Sequence, residues 1–169
     1  HSASRNHKGV AMAKISRSTT VHRKVEDVFD FLEDKEHFPE FWPSMMEVSD
    51  VRDLPNGGKG YHWTYKMAGL KFEGDSEEIE VIPNKKLVSK NEKGIESTVT
   101  WLLDDHGKDT DLTFEVEYKV PVPVLGKLAE KVVVKLNEHE ADAVEKGAKV
   151  LCGGRRNPDL AGLFYEPTV

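Results

Sequence analysis

Alternation of apolar and polar residues dominates the middle of this chain. Tyr61, Trp63, Tyr65 and Met67 alternate with His62, Thr64 and Lys66; Leu112, Phe114, Val116, Tyr118 and Val120 alternate with Thr113, Glu115, Glu117 and Lys119. Ile95, Ser97, Val99, Trp101 and Leu103 keep one phase between them. Successive side chains of a strand point to opposite faces, so the pattern predicts an antiparallel sheet with one face on a core and one in water. Met46, Val48 and Val51 predict a further strand, closed by the turn signal Leu54-Pro55-Asn56-Gly57-Gly58. Leu87-Val88 opens another that ends near Asn91 to Gly94, and Asp104-Asp105-His106-Gly107 turns the chain. Ala68-Gly69 is a tight turn into Leu70, Phe72 and the acidic run Glu73 to Glu80, which Pro83-Asn84 breaks. The phase of that run is ambiguous: Phe72 is in register with Glu78 and Glu80, while Ile79 and Val81 take the other phase. We expect Ile79 and Val81 to face inward, leaving both glutamates in a solvated face that discourages edge pairing.

The period lengthens on either side of this block. After a β-rich run from Lys14 to Val21 and a turn over His22 to Glu26, Val25, Val28, Phe29 and Leu32 recur at helical spacing. A second short helix is expected from Lys35 to Trp42, with Phe38, Phe41 and Trp42 together before Pro43. Beyond Pro121 and Pro123, Leu125, Leu128, Val132, Leu136 and His139 mark one stripe, with Ala129, Val133 and Glu140 beside it. This predicts a helix from about Val124 to Glu145, about 33 Å long at 1.5 Å per residue, with Gly147 as its stop. A sheet with one apolar face must bury it against another layer, and only this helix has the surface to do so. The expected fold is therefore α+β: a curled antiparallel sheet of six or seven strands around a long C-terminal helix, with two short helices after the first strand. Curling a twisted sheet around one cylinder leaves space between the layers.

Composition narrows the setting. The chain has 169 residues, enough for one domain with a real core. Hydrophobic residues make up 38% and charged residues 32%, a mixture too apolar for disorder and too charged for a membrane protein. No run approaches the ~18 apolar residues of a spanning helix. The net charge of -6 argues against a nucleic-acid partner. The single cysteine, Cys152, cannot form an internal bridge, which fits a cytoplasmic, reducing setting. His1 to Ala11 lacks periodicity and the apolar core of a signal peptide, so it is expected to be a disordered extension.

The stretch AKISRSTTVHRKVEDVFDFLEDKEHFPEFWPSM resembles the opening of START-like (SRPBCC) helix-grip proteins, the superfamily of polyketide cyclases, coenzyme Q-binding proteins and lipid carriers. EGDSEEIEVIPNKKLV and VPVPVLGKLAEKVV resemble its middle strand pair and the approach to its closing helix. The likeness covers about residues 13–144. It implies the helix-grip fold over 12–146, and carriers, cyclases and co-chaperones all share that fold. The tail EKGAKVLCGGRRNPDLAGLFYEPTV, Glu145 to Val169, resembles instead a segment of aldehyde dehydrogenases that lies outside their catalytic cysteine and glutamate motifs. No Gly-rich dinucleotide turn between a strand and a helix accompanies it. Cys152 therefore inherits no nucleophilic role, residues 147–169 are expected to be an appended tail, and dehydrogenase activity is rejected.

The aromatic stripe carries the candidate chemistry. Tyr61, Trp63, Tyr65, Trp101, Phe114 and Tyr118 share apolar phases under one helix. Core packing explains any one of them, yet buried Tyr and Trp want partners for their polar atoms, and apolar cavities with sparse polar groups bind small molecules. With Leu128, Val132 and Leu136 as the helix wall, they are the expected contacts of a hydrophobic ligand, which the resemblance implies to be a lipid, a quinone or a polyketide-like chain. Phe38, Phe41 and Trp42, with Met45 and Met46, are either a lip over the pocket mouth or a small satellite core. An enzyme of the cyclase or dehydratase type would need an inward acid or base, for which Arg17, His62, Glu78 and Glu80 are the candidates. A co-chaperone-like interaction module would instead fill the cavity with its own side chains. No metal or cofactor is expected: the seven histidines include no HExxH, and Glu138, His139 and Asp142 within one helical turn are commonplace on an exposed face.

Overall fold

Consecutive hairpins make most of the sheet. The computed structural model describes residues 12–67, 69–119, 139 and 141–147. Its strands are β1 (Met12–Val21), β2 (Met45–Asp53), β3 (Lys59–Met67), β4 (Leu70–Ile82), β5 (Lys86–Asn91), β6 (Ser97–Asp105) and β7 (Thr110–Lys119). They form one sheet in the order β1-β7-β6-β5-β4-β3-β2, antiparallel throughout. Strands β2 to β7 are thus a meander with short turns, and only β1 needs a long-range partner. Gly57 at φ +83° supplies the left-handed residue of the turn before β3.

The connection from β1 to β2 carries the helices. α1 (Val25–Glu33) buries Val25, Val28, Phe29 and Leu32 on one face, and Glu26 and Asp27 favour its N-terminal dipole. The single helix expected over 35–42 is divided: a 3-10 turn covers Lys35–His37, and α2 covers Phe38–Phe41. The Asp34 carboxylate accepts the Glu36 N–H at 3.2 Å and starts the new turn. These helices cover one end of the inner sheet face and share its core. Among the described residues no helix is long and apolar enough to cross a membrane.

Of the helix expected over 124–145, His139 and 141–147 are described and are helical. Leu128, Val132 and Leu136 lie outside the described residues, as do the 1–11 extension and the tail beyond 147. Ala141 and Val144 are buried while His139 is exposed, so His139 does not continue the buried stripe. Two contacts seat this segment. Arg17 Nε donates to Asp142 Oδ1 at 2.5 Å, and this bond holds the Asp142 carboxyl below its ordinary range. At Gly147 a Cβ would lie 2.7 Å from the Phe41 Cβ, so the helix approaches α2 as closely as a glycine allows.

The acidic run corrects the expected phase. Glu78 opposes Ser89 and Glu80 opposes Val88, which leaves Ile79 as an extra residue in β4. The bulge turns Ile79 out to 55% exposure, directs Glu78 inward and still lets Val81 pack on the core. Glu80 stays outside on Lys86, at 2.8 Å. Glu78 Oε1 meets Lys35 Nζ at 2.5 Å, with the two side chains 0% and 1% exposed. Each partner has one further hydrogen bond: Lys35 Nζ donates to Leu32 O at 2.6 Å, and Lys59 N–H donates to Glu78 Oε2 at 2.7 Å. Burial pushes the Lys35 ammonium down, and the Glu78 carboxylate opposes that push. The β2–β3 turn closes over the pair: Asn56 Nδ2 donates to Glu78 O at 2.7 Å, and a Cβ on Gly58 would lie 2.7 Å from that of Glu78.

Removing one partner of such a pair leaves the other charge buried. Lys35→Met is expected to lower the unfolding free energy by about 3–5 kcal/mol. Lys35→Met with Glu78→Leu should recover most of that loss, both being measured by urea denaturation. Equal loss in the single and double variants would show that packing, not charge, holds this junction.

Candidate functional site

A cavity of about 80 Å³ lies on the inner face of the sheet. Its floor is built from β3 to β7. Trp42, after α2, and Met45, the first residue of β2, close one side, and Ala141 of the helical segment another. Tyr61, Trp63 and Tyr65 of β3 line it, with Val99 of β6 and Phe114, Val116 and Tyr118 of β7. The aromatic rings pack edge to face. Trp42 meets Phe114 at 5.3 Å and Tyr65 at 6.2 Å between centroids, both near perpendicular.

A polar row crosses this apolar floor. The register pairs Tyr61 with Ser76, Ser76 with Asn91, Asn91 with Ser97 and Ser97 with Tyr118, five residues side by side on five strands. All five line the cavity. Ser76 Oγ donates to Asn91 Oδ1, Asn91 Nδ2 donates to Ser97 Oγ at 2.5 Å, and Ser97 Oγ donates to Ile95 O at 3.1 Å. The Tyr61 hydroxyl bonds Ser76 and Ser89. Its pKa is pushed up to about 12, chiefly by burial, against the pull of the two serines.

Trp63 is placed by glycines. It pairs with Gly74 across the β3–β4 ladder. A Cβ at Gly74 would lie 2.4 Å from Trp63 Cζ2, and one at Gly94 would lie 3.0 Å from Cη2. The indole is therefore seated on two bare backbones. Trp63 Nε1 and Trp42 Nε1 are buried and have no hydrogen-bond partner among the described residues. An unpaired buried donor costs about 1–3 kcal/mol.

Five of the aromatic residues expected at a ligand, Tyr61, Trp63, Tyr65, Phe114 and Tyr118, come together around this cavity. Trp101 does not line it: its ring is buried against Phe114 at 4.7 Å and Phe41 at 6.4 Å. Phe38 and Phe41 are core rather than lip, with Phe38 packed on Tyr61, Phe41 and Trp42. Of the expected mouth residues only Trp42 reaches the cavity; Met45 reaches it too, while Met46 is exposed. Ser76, Asn91 and Ser97 were not legible as site residues. Their signal was present as polar residues in apolar phases, such as Ser97 in the row of Val99 and Trp101.

The candidate acids and bases separate in space. Glu78 is inward but bound to Lys35 and does not line the cavity. His62 is half-exposed on the opposite face of β3, with Nδ1 3.0 Å from Asp75 Oδ1. Glu80 is outside, and Arg17 is held by Asp142. Among the described residues no group of three His, Cys, Asp or Glu side chains is arranged to hold a metal.

Comparisons with known proteins fall into two sets. Residues 12–148 match the family described as polyketide cyclase / dehydrase and lipid transport. TTHA0849 from Thermus thermophilus superposes with a TM-score of 0.71 at 18% identity, over 81% of this chain and 94% of that one. A START superfamily protein from Mycobacterium smegmatis gives 0.65 at 17%, over 82% and 98%. The Zhui aromatase/cyclase from Streptomyces sp. R1128 gives 0.64 at 16%, over 83% and 95%. These likenesses show the fold. The second set is partial: 40 residues are 52% identical to the succinate-semialdehyde dehydrogenase GabD of Escherichia coli K12, which is 24% of this chain and 8% of that enzyme. A 78-residue stretch is 36% identical to a putative succinate-semialdehyde dehydrogenase of Mycobacterium tuberculosis, covering 46% of this chain and 15% of that one. The chain thus spans a small fraction of the curated enzymes it matches.

The raised tyrosine gives a direct check on the floor of the cavity. Tyr61 should ionise near pH 12 in an ultraviolet absorbance titration of the protein, and Tyr61→Phe should remove that phase. Because the folded-state value lies above the ordinary 10, its stability contribution is complete below pH 10 and is lost as the pH rises through about 12. Four tyrosines titrating together near the ordinary value would contradict the buried, serine-bonded hydroxyl.

Proposed function

The chain belongs to the polyketide cyclase / dehydrase and lipid transport family, and from that premise we propose that it binds and carries a hydrophobic small molecule between the sheet and the C-terminal helix. The observation that carries this reading is the cavity lining: aromatic and aliphatic side chains around one row of hydroxyl and amide groups, with no charged side chain among the described contributors. Such sparse polar groups on an apolar wall orient a ligand while burial of its surface drives binding, at about 25 cal/mol per Å². In this reading Tyr61, Trp63, Tyr65, Phe114 and Tyr118 contact the ligand from the sheet, and Leu128, Val132 and Leu136 supply the helix wall. The described cavity, about 80 Å³, is about half the ~150 Å³ that houses benzene in an engineered apolar core. A lipid-sized guest therefore has to extend along the wall assigned to those three residues.

Two rivals are weaker. A cyclase or dehydratase needs an acid or base at the substrate, and Glu78, the one inward carboxylate among the candidates, spends its charge on Lys35. An interaction module with a fully packed interior fits poorly with a cavity larger than one or two waters and with unpaired indole N–H groups.

Native mass spectrometry of gently purified protein, repeated after denaturation, tests the carrier reading. The expected result is an added mass that denaturation removes and that Trp63→Ala reduces. A bare polypeptide mass, together with no Nile red fluorescence gain that Trp63→Ala removes, would overturn it.

A further inference from the structure

We propose that His37 is a proton-operated clamp on the position of Trp42, which closes one side of the cavity; that the clamp regulates ligand retention rests on the carrier reading above. His37 sits where the 3-10 turn runs into α2, and its two ring nitrogens face two carboxylates. Nδ1 lies 2.9 Å from Glu40 Oε1, and Nε2 lies 3.3 Å from Asp34 Oδ2. A neutral imidazole carries one N–H, so one of these oxygens would then meet a lone pair. Only the imidazolium ion donates towards both. The ring also lies flat on Phe31, with centroids 5.1 Å apart and planes 9° from parallel, which keeps both nitrogens in line with their carboxylates.

The surrounding charges favour that ion. Asp34 and Glu36 flank it on the 3-10 turn and Glu40 faces it from α2, while α1 presents the uncharged Phe31. Lys35, two residues away in sequence, turns inward to Glu78 of β4. β2 also packs on this turn and carries Glu47, Asp50, Arg52 and Asp53. Of these, Arg52 is taken up by Glu77 and Asp53 by Lys59. The Glu40 bond, with the Asp34 and Glu36 charges behind it, raises the ring above its ordinary 6.5 against the cost of burial.

Asp34, His37 and Glu40 stand three residues apart, so the ion stitches the 3-10 turn to α2 end to end. α2 spans only Phe38–Phe41, too short to persist without links from outside its own turn. Trp42 follows directly, and its backbone N–H closes that turn on Phe38 O at 2.9 Å. Loss of the proton leaves one link of the two and loosens the turn that sets Trp42 against Phe114 and Tyr65. Because the folded-state value is raised, the contribution is complete below pH 6.5 and is lost as the pH rises through that folded-state value. The wall is thus set in mild acid and relaxed in mild alkali.

Imidazole and indole signals of the ¹⁵N-labelled full chain, followed from about pH 5.5 to about pH 8.5, test the clamp. His37→Gln and Trp42→Phe assign the two signals. The His37 midpoint should lie above 6.5, and the Trp42 indole proton should shift with the same midpoint. Asp34→Asn and Glu40→Gln should each lower both midpoints together, and His37→Gln should leave Trp42 flat across the range. Nile red should be held about two- to threefold more tightly near pH 6 than near pH 8, the worth of an exposed ion pair, and equally by His37→Gln. A His37 midpoint at or below 6.5, a Trp42 signal that ignores it, or equal Nile red retention at both pH values would overturn the inference and leave the carrier reading standing. Trp42 movement with no uptake of Nile red at either pH would support the clamp and count against the carrier reading.

Discussion

Lys35 and Glu78 are two opposite charges taken fully out of water, and the geometry of the site follows from where they meet. One comes from the turn between α1 and α2, the other from a bulge in the middle of β4. A buried pair gains little net stability over an apolar pair of similar volume, because desolvation consumes most of the Coulombic gain. What it provides is uniqueness of position: any sliding of the helices over the sheet would separate the charges and leave each unpaired. The Leu32 carbonyl and the Lys59 amide add one hydrogen bond to each partner, and both would be lost with the pair. Trp42 and Met45 follow directly after the helices pinned in this way, and both line the cavity. Glu33, at the end of α1, sets the limit of this device. Burial, with the nearby Glu78 charge behind it, pushes its carboxyl up against the pull of Lys35 and Lys59.

The same bulge marks where the sequence stopped being readable. Strands β3, β6 and β7 alternate without interruption, and their phases are legible because one face is predominantly apolar. β4 is not of this kind. Period-two reasoning assumes one phase per strand, and Ile79 breaks it, so Glu78 and Val81 both face inward although they are three residues apart. Only the partner strand, with Ser89 and Val88 opposite, reveals the extra residue. Trp101 fails for a different reason. Its phase is right, but whether an inward ring borders a void or a neighbour depends on what comes from elsewhere, and here Phe41 arrives from α2. His139 is a third case: a stripe drawn on a helix gives spacing, while its edges depend on the angle of packing.

The polar row shows what register adds to phase. Ser76, Asn91 and Ser97 each look like a weak spot in an apolar face when read along their own strand. Across strands they stand beside Tyr61 and Tyr118, and hydrogen bonds run from Ser76 to Asn91 and from Asn91 to Ser97. Buried polar groups are tolerable when they satisfy one another. This row nearly does so, and its remaining capacity faces a cavity already bordered by two unpartnered indoles.

In the carrier reading proposed above, this floor holds a ligand rather than turning it over. Proton transfer at neutral pH needs a group whose two states are both accessible there, and Tyr61, with a pKa of about 12, is locked in its protonated form. His62 stands on the outer face with Asp75, away from the cavity. Glu78 is close enough to raise Tyr61 electrostatically, yet bringing a proton to its carboxylate would require breaking the Lys35 pair that positions the helices. Catalysis through Glu78 would therefore compete directly with the integrity of the fold, whereas binding at the cavity leaves the Lys35 pair intact.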